Sequence, residues 1–181
     1  MMLLTIALSV LTFVAAAVSM EFVARFMHKY VMHGTGWCLH HDHHNSSGKK
    51  FQKNDLYALF FAGTSFLLIF FGMRLRIPPM WSAGFGVALY GVGYVLFHDI
   101  MFHKRFKWIQ LTPKHPYLKR IINAHRVHHA TVTRGGAISF SFLWAPKKYD
   151  PSNQEEVDAT LARIRGYQME LKRQKKEVAD A

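Results

Sequence analysis

Ten histidines of this 181-residue chain fall into four spaced sets, and the spacings are those of metal ligands. Two sets are H-x4-H pairs, His28 with His33 and His98 with His103. The other two are H-x2-HH triples, His40 with His43 and His44, and His125 with His128 and His129. On a helix, residues at i, i+3 and i+4 share one face about one turn apart. Imidazole suits zinc, copper, iron and nickel, so ligand type alone does not choose the metal. Ligand number does more, because ten histidines exceed one tetrahedral zinc and suit two metals with five or six positions each. Two iron ions side by side can supply electrons to cleave dioxygen. Asp42 and Asp99, each next to a ligand histidine, are placed to offset charge or hold imidazole N–H groups, with helix capping as the equal alternative. His41 and His115 stand outside the scheme, although His41 competes with His40 for the first position of its triple.

The elements that must carry these histidines are apolar. Residues 1–20, 56–73 and 77–97 contain no charged side chain, giving uncharged runs of 20, 18 and 21 residues. As helices they reach about 27 to 32 Å, close to the roughly 30 Å of a hydrocarbon core. The expected fold is an all-α integral membrane helical bundle with three long spans. The first run has no basic residue ahead of its apolar core, and that core is longer than a signal peptide's, so a retained span is expected over a cleaved one. Arg74 to Pro79 allow only a tight reversal between the second and third spans. Gly84, Gly86, Gly91 and Gly93 suit close helix approach, with room for a bulky apolar substrate as the second reading. Three spans bring the end of the first, the start of the second and the end of the third to one side, and every histidine falls there.

Net charge is +12 and mean hydropathy only +0.02, because apolar and polar runs alternate. A nucleic-acid reading fails on position, since from Asp150 onward six basic residues meet seven acidic ones. The excess lies in the membrane part. Arg74 and Arg76 are the basic residues on the side away from the histidines, against 21 on the histidine side. The positive-inside rule makes that side cytoplasmic and the N-terminus external, in an inner membrane. The lone Cys38 forms no internal disulfide.

Between these landmarks, the first span is expected to continue as a helix through His28 and His33, which on α-helical geometry lie about 140° apart, close enough to converge on a metal held beside the helix. Gly34 and Gly36 break it. Asn45-Ser46-Ser47-Gly48 reads as a turn, Lys49, Lys50 and Lys53 as a basic patch, and Asn54-Asp55 as the cap of the second span. Leu118 to His129 reads as a helix. Ala137 to Ala145 is apolar but too short to span, and suits a short re-entrant or interfacial segment. Residues 1–150 form the membrane-embedded domain with its histidine-rich cytoplasmic cap. Residues 151–181 form a charged C-terminal surface helix or tail, with Val157, Leu161, Ile164, Met169 and Leu171 as scattered apolar positions.

The stretches H-K-Y-V-M-H-G (28–34), N-D-L-Y-A (54–58), H-D-I-M-F-H-K-R (98–105), Y-L-K-R-I-I-N-A-H-R-V-H-H-A (117–130) and I-S-F-S-F-L-W-A-P (138–146) together resemble the integral-membrane fatty acid hydroxylase superfamily. Within it they resemble its bacterial β-carotene 3-hydroxylase branch. The resemblance runs from about Glu21 to Pro146 and implies a di-iron centre held by His28, His33, His40, His43, His44, His98, His103, His125, His128 and His129. It implies no catalytic side chain beyond these ligands. It also implies C3 hydroxylation of β-ionone rings, to β-cryptoxanthin and then zeaxanthin, with O2, two electrons and two protons. No dinucleotide fingerprint or iron–sulfur cysteine set is present, so an external donor such as ferredoxin is expected, with Lys104, Arg105, Lys107, Lys119 and Arg120 suited to dock it and orientation at the membrane surface as their equal alternative. A carotenoid would arrive from the bilayer, past aromatics such as Phe97, Phe102, Phe140, Phe142 and Trp144, for which helix packing or interfacial anchoring is the other reading. Other readings are an oxygenase of fatty acyl chains, a carotenoid ketolase, or a non-enzymatic metal-binding membrane protein.

Overall fold

The computed structural model describes residues 1–45, 51–109 and 111–180. The expected turn at 45–48 falls mostly outside the described residues, as do Lys49 and Lys50. Helix α1 (Met2–Phe26) runs on as a π-helix over Met27–Thr35, and α2 (Trp37–His44) follows after a break at Gly34. α3 (Asp55–Arg74) and α4 (Pro78–Tyr94) form a hairpin, and α4 also continues as a π-helix, over Val95–Phe102. α5 (Pro116–His129) and α6 (Gln154–Ala179) complete the fold, with no strand among the described residues.

Three helical segments are long and apolar enough to cross a membrane: Met2–Thr35, Asp55–Arg74 and Pro78–Phe102. None of the most apolar stretch of the first is buried within the chain, and only 11% and 28% of the others are. Leu4, Val10, Leu11, Phe60, Phe66 and Phe70 all face outward. Side chains of that kind need lipid around them, which excludes the buried core helix of a soluble protein. The first segment has 34 residues, about 51 Å, so its last turns project well beyond a core of about 30 Å.

α4 packs between α1 and α3. A Cβ added at Gly86 would lie 2.4 Å from the Phe13 carbonyl oxygen, and one at Gly84 would lie 2.7 Å from the Ile69 side chain. These two glycines set the helix separations, as small residues do in membranes. Gly91, read the same way from sequence, has nothing within 4 Å, and Gly93 faces the Leu143 side chain. Arg76 makes the tight reversal with φ +57°, while Ile77 N donates to Gly72 O at 2.8 Å.

The Asn54-Asp55 expectation needs correction. Asn54 precedes α3 but makes no side-chain cap bond; its amide oxygen is taken by His40. Asp55 accepts from Gln52 N and Arg105 instead. His115, left over in the sequence, accepts from Tyr117 N at the start of α5.

The cap has its own core. Phe97, Ile121, Ala124, Val127, Ala145 and Tyr149 pack with Val157 and Leu161 of α6. The charged C-terminal helix therefore begins by covering α5, and only its later apolar residues, such as Met169 and Val178, are exposed. Residues 137–145 form no helix. They lie against the bundle with Phe142 beside Met20, Ala24 and Tyr90, held by Glu21 of α1. The Glu21 carboxylate accepts from Phe142 N (2.9 Å), Leu143 N (3.0 Å) and the Tyr90 hydroxyl (2.9 Å).

Candidate metal centre

The π-helical extensions are what make the H-x4-H pairs work. In an α-helix residues five apart diverge, whereas i→i+5 hydrogen bonding brings them about one turn apart. His103 N donates to His98 O at 2.9 Å, a bond of this kind. The two rings of that pair lie 4.5 Å apart, and those of His28 and His33 5.3 Å apart. The convergence expected of the His28 and His33 pair is thus present, reached through π-helical rather than α-helical geometry.

The ten histidines gather into two sets of five. His28, His33, His40, His44 and His128 make one, and His43, His98, His103, His125 and His129 the other, with ligand atoms inside each set within 4.8 Å of one another. Each set combines one π-helical pair, the i, i+4 pair of one triple and the remaining member of the other. α2 gives His40 and His44 to the first set and His43 to the second. α5 gives His125 and His129 to the second set and His128 to the first. His41 is exposed, packs on Trp37 and belongs to neither.

Protons decide what the sets can bind. In the first set, His28, His33, His44 and His128 donate Nδ1–H to the carbonyls of Phe140, Arg134, Thr131 and Ile138, at 2.9, 3.1, 2.7 and 3.1 Å. His40 donates to the Asn54 side-chain oxygen at 2.6 Å. A neutral imidazole with its proton on Nδ1 has a bare lone pair on Nε2. Yet His44 Nε2 lies 3.1 to 3.2 Å from the Nε2 atoms of His33, His40 and His128. Four lone pairs meet there with no proton between them. In the second set His43 Nδ1 donates to Gln52 and His98 Nδ1 to Asp99, and their Nε2 atoms face each other at 3.0 Å. Nε2 of His28, His103, His125 and His129 is buried without a partner. A cation resolves this: with metal–nitrogen bonds of about 2.1 Å, adjacent ligands lie about 3.0 Å apart and opposite ones about 4.2 Å. The donor sets fit metal ions.

Burial holds the rings in the neutral form that ligation needs. It lowers His40 to about 4, lowers His44 to about 2 with help from the charges of His40 and His33, and lowers His103 to about 3 with help from Arg105. His43, His125, His128 and His129 are likewise held well below the ordinary imidazole range, burial first and neighbouring imidazoles second.

Much of the support is main chain. Residues 131–140 supply four acceptors to the first set, and Ser139, between two of them, has φ +63°. That left-handed geometry costs a non-glycine residue on the order of 1–2 kcal/mol and lets neighbouring carbonyls serve two different rings. Sequence reading found Asp99 but missed Gln52, Asn54 and these carbonyls, for which any residue type would serve. Asp42 meets no imidazole nitrogen by hydrogen bond, and it accepts from Lys53 N at 2.8 Å. Phe140 and Phe142 pack on His28, Phe102 on His103, His125 and His129, and Phe97 on His125. Trp144 is exposed.

The chain matches the fatty acid hydroxylase family over residues 13–145. It is 42% identical over 139 residues to a β-carotene hydroxylase of Pseudescherichia vulneris, covering 76% of this chain and 77% of that protein. It is 43% identical over 129 residues to a β-carotene hydroxylase of Pantoea ananas, covering 71% and 73%. With β-carotene 3-hydroxylase 1, chloroplastic, of Arabidopsis thaliana it shares 33% identity over 159 residues, 85% of this chain and 50% of that protein. No solved structure matches the chain.

Proposed function

The chain belongs to the fatty acid hydroxylase family, and on that premise we propose that it is a membrane di-iron oxygenase hydroxylating the β-ionone rings of β-carotene at C3, giving β-cryptoxanthin and then zeaxanthin. The observation that carries this reading is the pair of five-histidine sets whose ring nitrogens converge at the end of three apolar helices. His28, His33, His40, His44 and His128 hold one iron, and His43, His98, His103, His125 and His129 the other. Bound iron supplies the electrons that activate dioxygen toward an unactivated C–H bond. Overall, the substrate C–H, O2, two electrons and two protons give the alcohol and water.

The protein's own part is positional. Carbonyls 131–140 and the Gln52, Asn54 and Asp99 side chains fix which nitrogen faces inward in all five rings of the first set and in His43 and His98 of the second. Phe140 and Phe142 wall the first set and Phe97 and Phe102 the second, which keeps water out and gives a ring from the bilayer an apolar approach. Electrons come from a separate donor, with ferredoxin as the fitting class. Of the basic residues expected to dock it, Arg105 is engaged with Asp55 and Asp99, and Arg120 pairs with Asp150 at 3.6 Å. Docking then falls to the exposed Lys104 and Lys119. The positive-inside rule supports an inner membrane with the N-terminus outside and the histidines in the cytoplasm.

The test is pigment chromatography of a bacterial host accumulating β-carotene, with and without this gene. Zeaxanthin and β-cryptoxanthin are expected with it. Unchanged β-carotene beside iron-loaded, membrane-inserted protein would overturn the substrate assignment in favour of another membrane lipid, such as a fatty acyl chain.

A further inference from the structure

The two ligand sets differ in what stands behind them. Every ring of the first set donates Nδ1–H to a neutral oxygen, four of them main-chain carbonyls and the fifth the Asn54 amide. In the second set His43 also meets a neutral amide, that of Gln52, but His98 donates to the carboxylate of Asp99 at 2.9 Å. The carboxylates on the first set's side are bonded elsewhere: Asp42 of α2 accepts from Lys53 N, and Glu21 takes the Phe142 and Leu143 amides and the Tyr90 hydroxyl, so neither accepts from an imidazole.

Asp99 does not act alone. Arg105 reaches it at 3.3 Å and grips Asp55 with two bonds, at 2.8 and 2.7 Å. The three groups together carry one net negative charge. The Asp99 and Arg105 side chains are only 14% and 15% exposed, so that charge is weakly screened where it meets His98. A carboxylate behind a ligating imidazole raises the basicity of the ligand and favours the more highly charged metal ion.

We propose that the two metal positions are electronically unequal, with the ferric state favoured at the His43, His98, His103, His125 and His129 position because Asp99 places negative charge on its His98 ligand. Asp99 and Arg105 are then positioning residues with opposed effects: the carboxylate stabilises the ferric ion and the guanidinium tempers it. This rests on the di-iron reading.

The experiment is a reductive titration of the full-length chain, loaded with 57Fe in a detergent or nanodisc preparation, followed by Mössbauer spectroscopy. Each step adds one electron from dithionite to one ferric ion and transfers no atom. The wild-type chain should reduce in two separate steps. Asp99→Asn keeps an oxygen for His98 and removes the charge, so the lower step should rise by a 10- to 100-fold change in ferric preference, about 59 to 118 mV, with the upper step left in place. Arg105→Gln should move the same step downward. Loss of packing alone would not give opposite signs, so either variant that folds keeps the test open. Coincident wild-type steps, a shift of both steps together in Asp99→Asn, or an upward shift in Arg105→Gln would each overturn the proposal while leaving two irons in place. A chain that holds fewer than two irons would instead overturn the di-iron reading beneath it.

Discussion

Replacing Glu21 should damage the metal centre although no atom of Glu21 touches a histidine nitrogen by hydrogen bond. The carboxylate anchors Phe142 N, Leu143 N and the Tyr90 hydroxyl, and the segment it anchors presents the Phe140 carbonyl to His28 and stacks Phe142 on the same ring at 4.7 Å. Glu21→Ala strands three donors, each worth about 1–3 kcal/mol when unpaired, so the ceiling is about 9 kcal/mol. Glu21 is only half-buried, and water entering beside it brings the expectation to about 3–5 kcal/mol. Glu21→Gln is milder. Its amide oxygen still accepts the Leu143 and Tyr90 donors, which share one carboxylate oxygen, but its NH2 then opposes the Phe142 N–H, a loss of about 1–3 kcal/mol. Tyr90→Phe removes one bond and should cost about 1–2 kcal/mol. The assay is iron retained against a chelator during a heat ramp, with product yield in parallel. Retention should fall in the order wild type, Gln, Ala, and in Glu21→Ala the iron of the first set should leave first. Wild-type retention and product in Glu21→Ala, or equal damage from Gln and Ala, would refute the reasoning.

Three further outcomes follow from the same structure. His128→Ala should abolish product and lower iron content, whereas His41→Ala should leave both unchanged, as assayed by pigment chromatography and metal analysis. Gly86→Ala drives a methyl group into the Phe13 carbonyl and should cost at least about 1–3 kcal/mol in thermal unfolding, while Gly91→Ala, in open space, should change little. The metal-free chain should lose stability as pH falls below about 6.5, because His40, His103 and His44 have folded pKa values of about 4, 3 and 2 and the unfolded chain takes up protons first. The slope approaches ~1.4 kcal/mol per pH unit for each such ring down to its folded value, and bound metal should flatten the curve. Unfolding of the chelated protein at pH 7 and pH 5 checks it, and equal stability at the two would contradict it.

The spans were legible because lipid imposes a simple rule, a long run without charge, and the three runs correspond to three helices. The histidine spacings were legible as sets, and those ten residues do gather. Their sorting was not, since nothing local to α2 says that His43 parts company with His40 and His44. The convergence of His28 with His33 was legible as well, but the π-helix that brings it about was not, because a shift to i→i+5 bonding leaves no mark in side-chain pattern. Glu21 looked like the boundary of a span, and Asn54-Asp55 like a cap. In each case a distant polar group claims the side chain: two backbone amides and a tyrosine for Glu21, His40 for Asn54, and Arg105 for Asp55. Carbonyl acceptors over 131–140 are invisible to any reading of residue types.

The exchange of single histidines between the two triples has a bearing on how the protein is made. Neither set is complete until α5 arrives, because the first lacks His128 and the second lacks His125 and His129. A nascent chain halted before residue 125 has all three apolar helices and neither set complete, so on the di-iron reading insertion would precede loading. Moreover α2 and α5 each supply histidines to both sets, so on the di-iron reading an ion entering one set would draw the two helices together and align the other. Loading would then be cooperative. A cell short of iron should hold a mixture of empty and fully charged molecules rather than a population of half-filled ones.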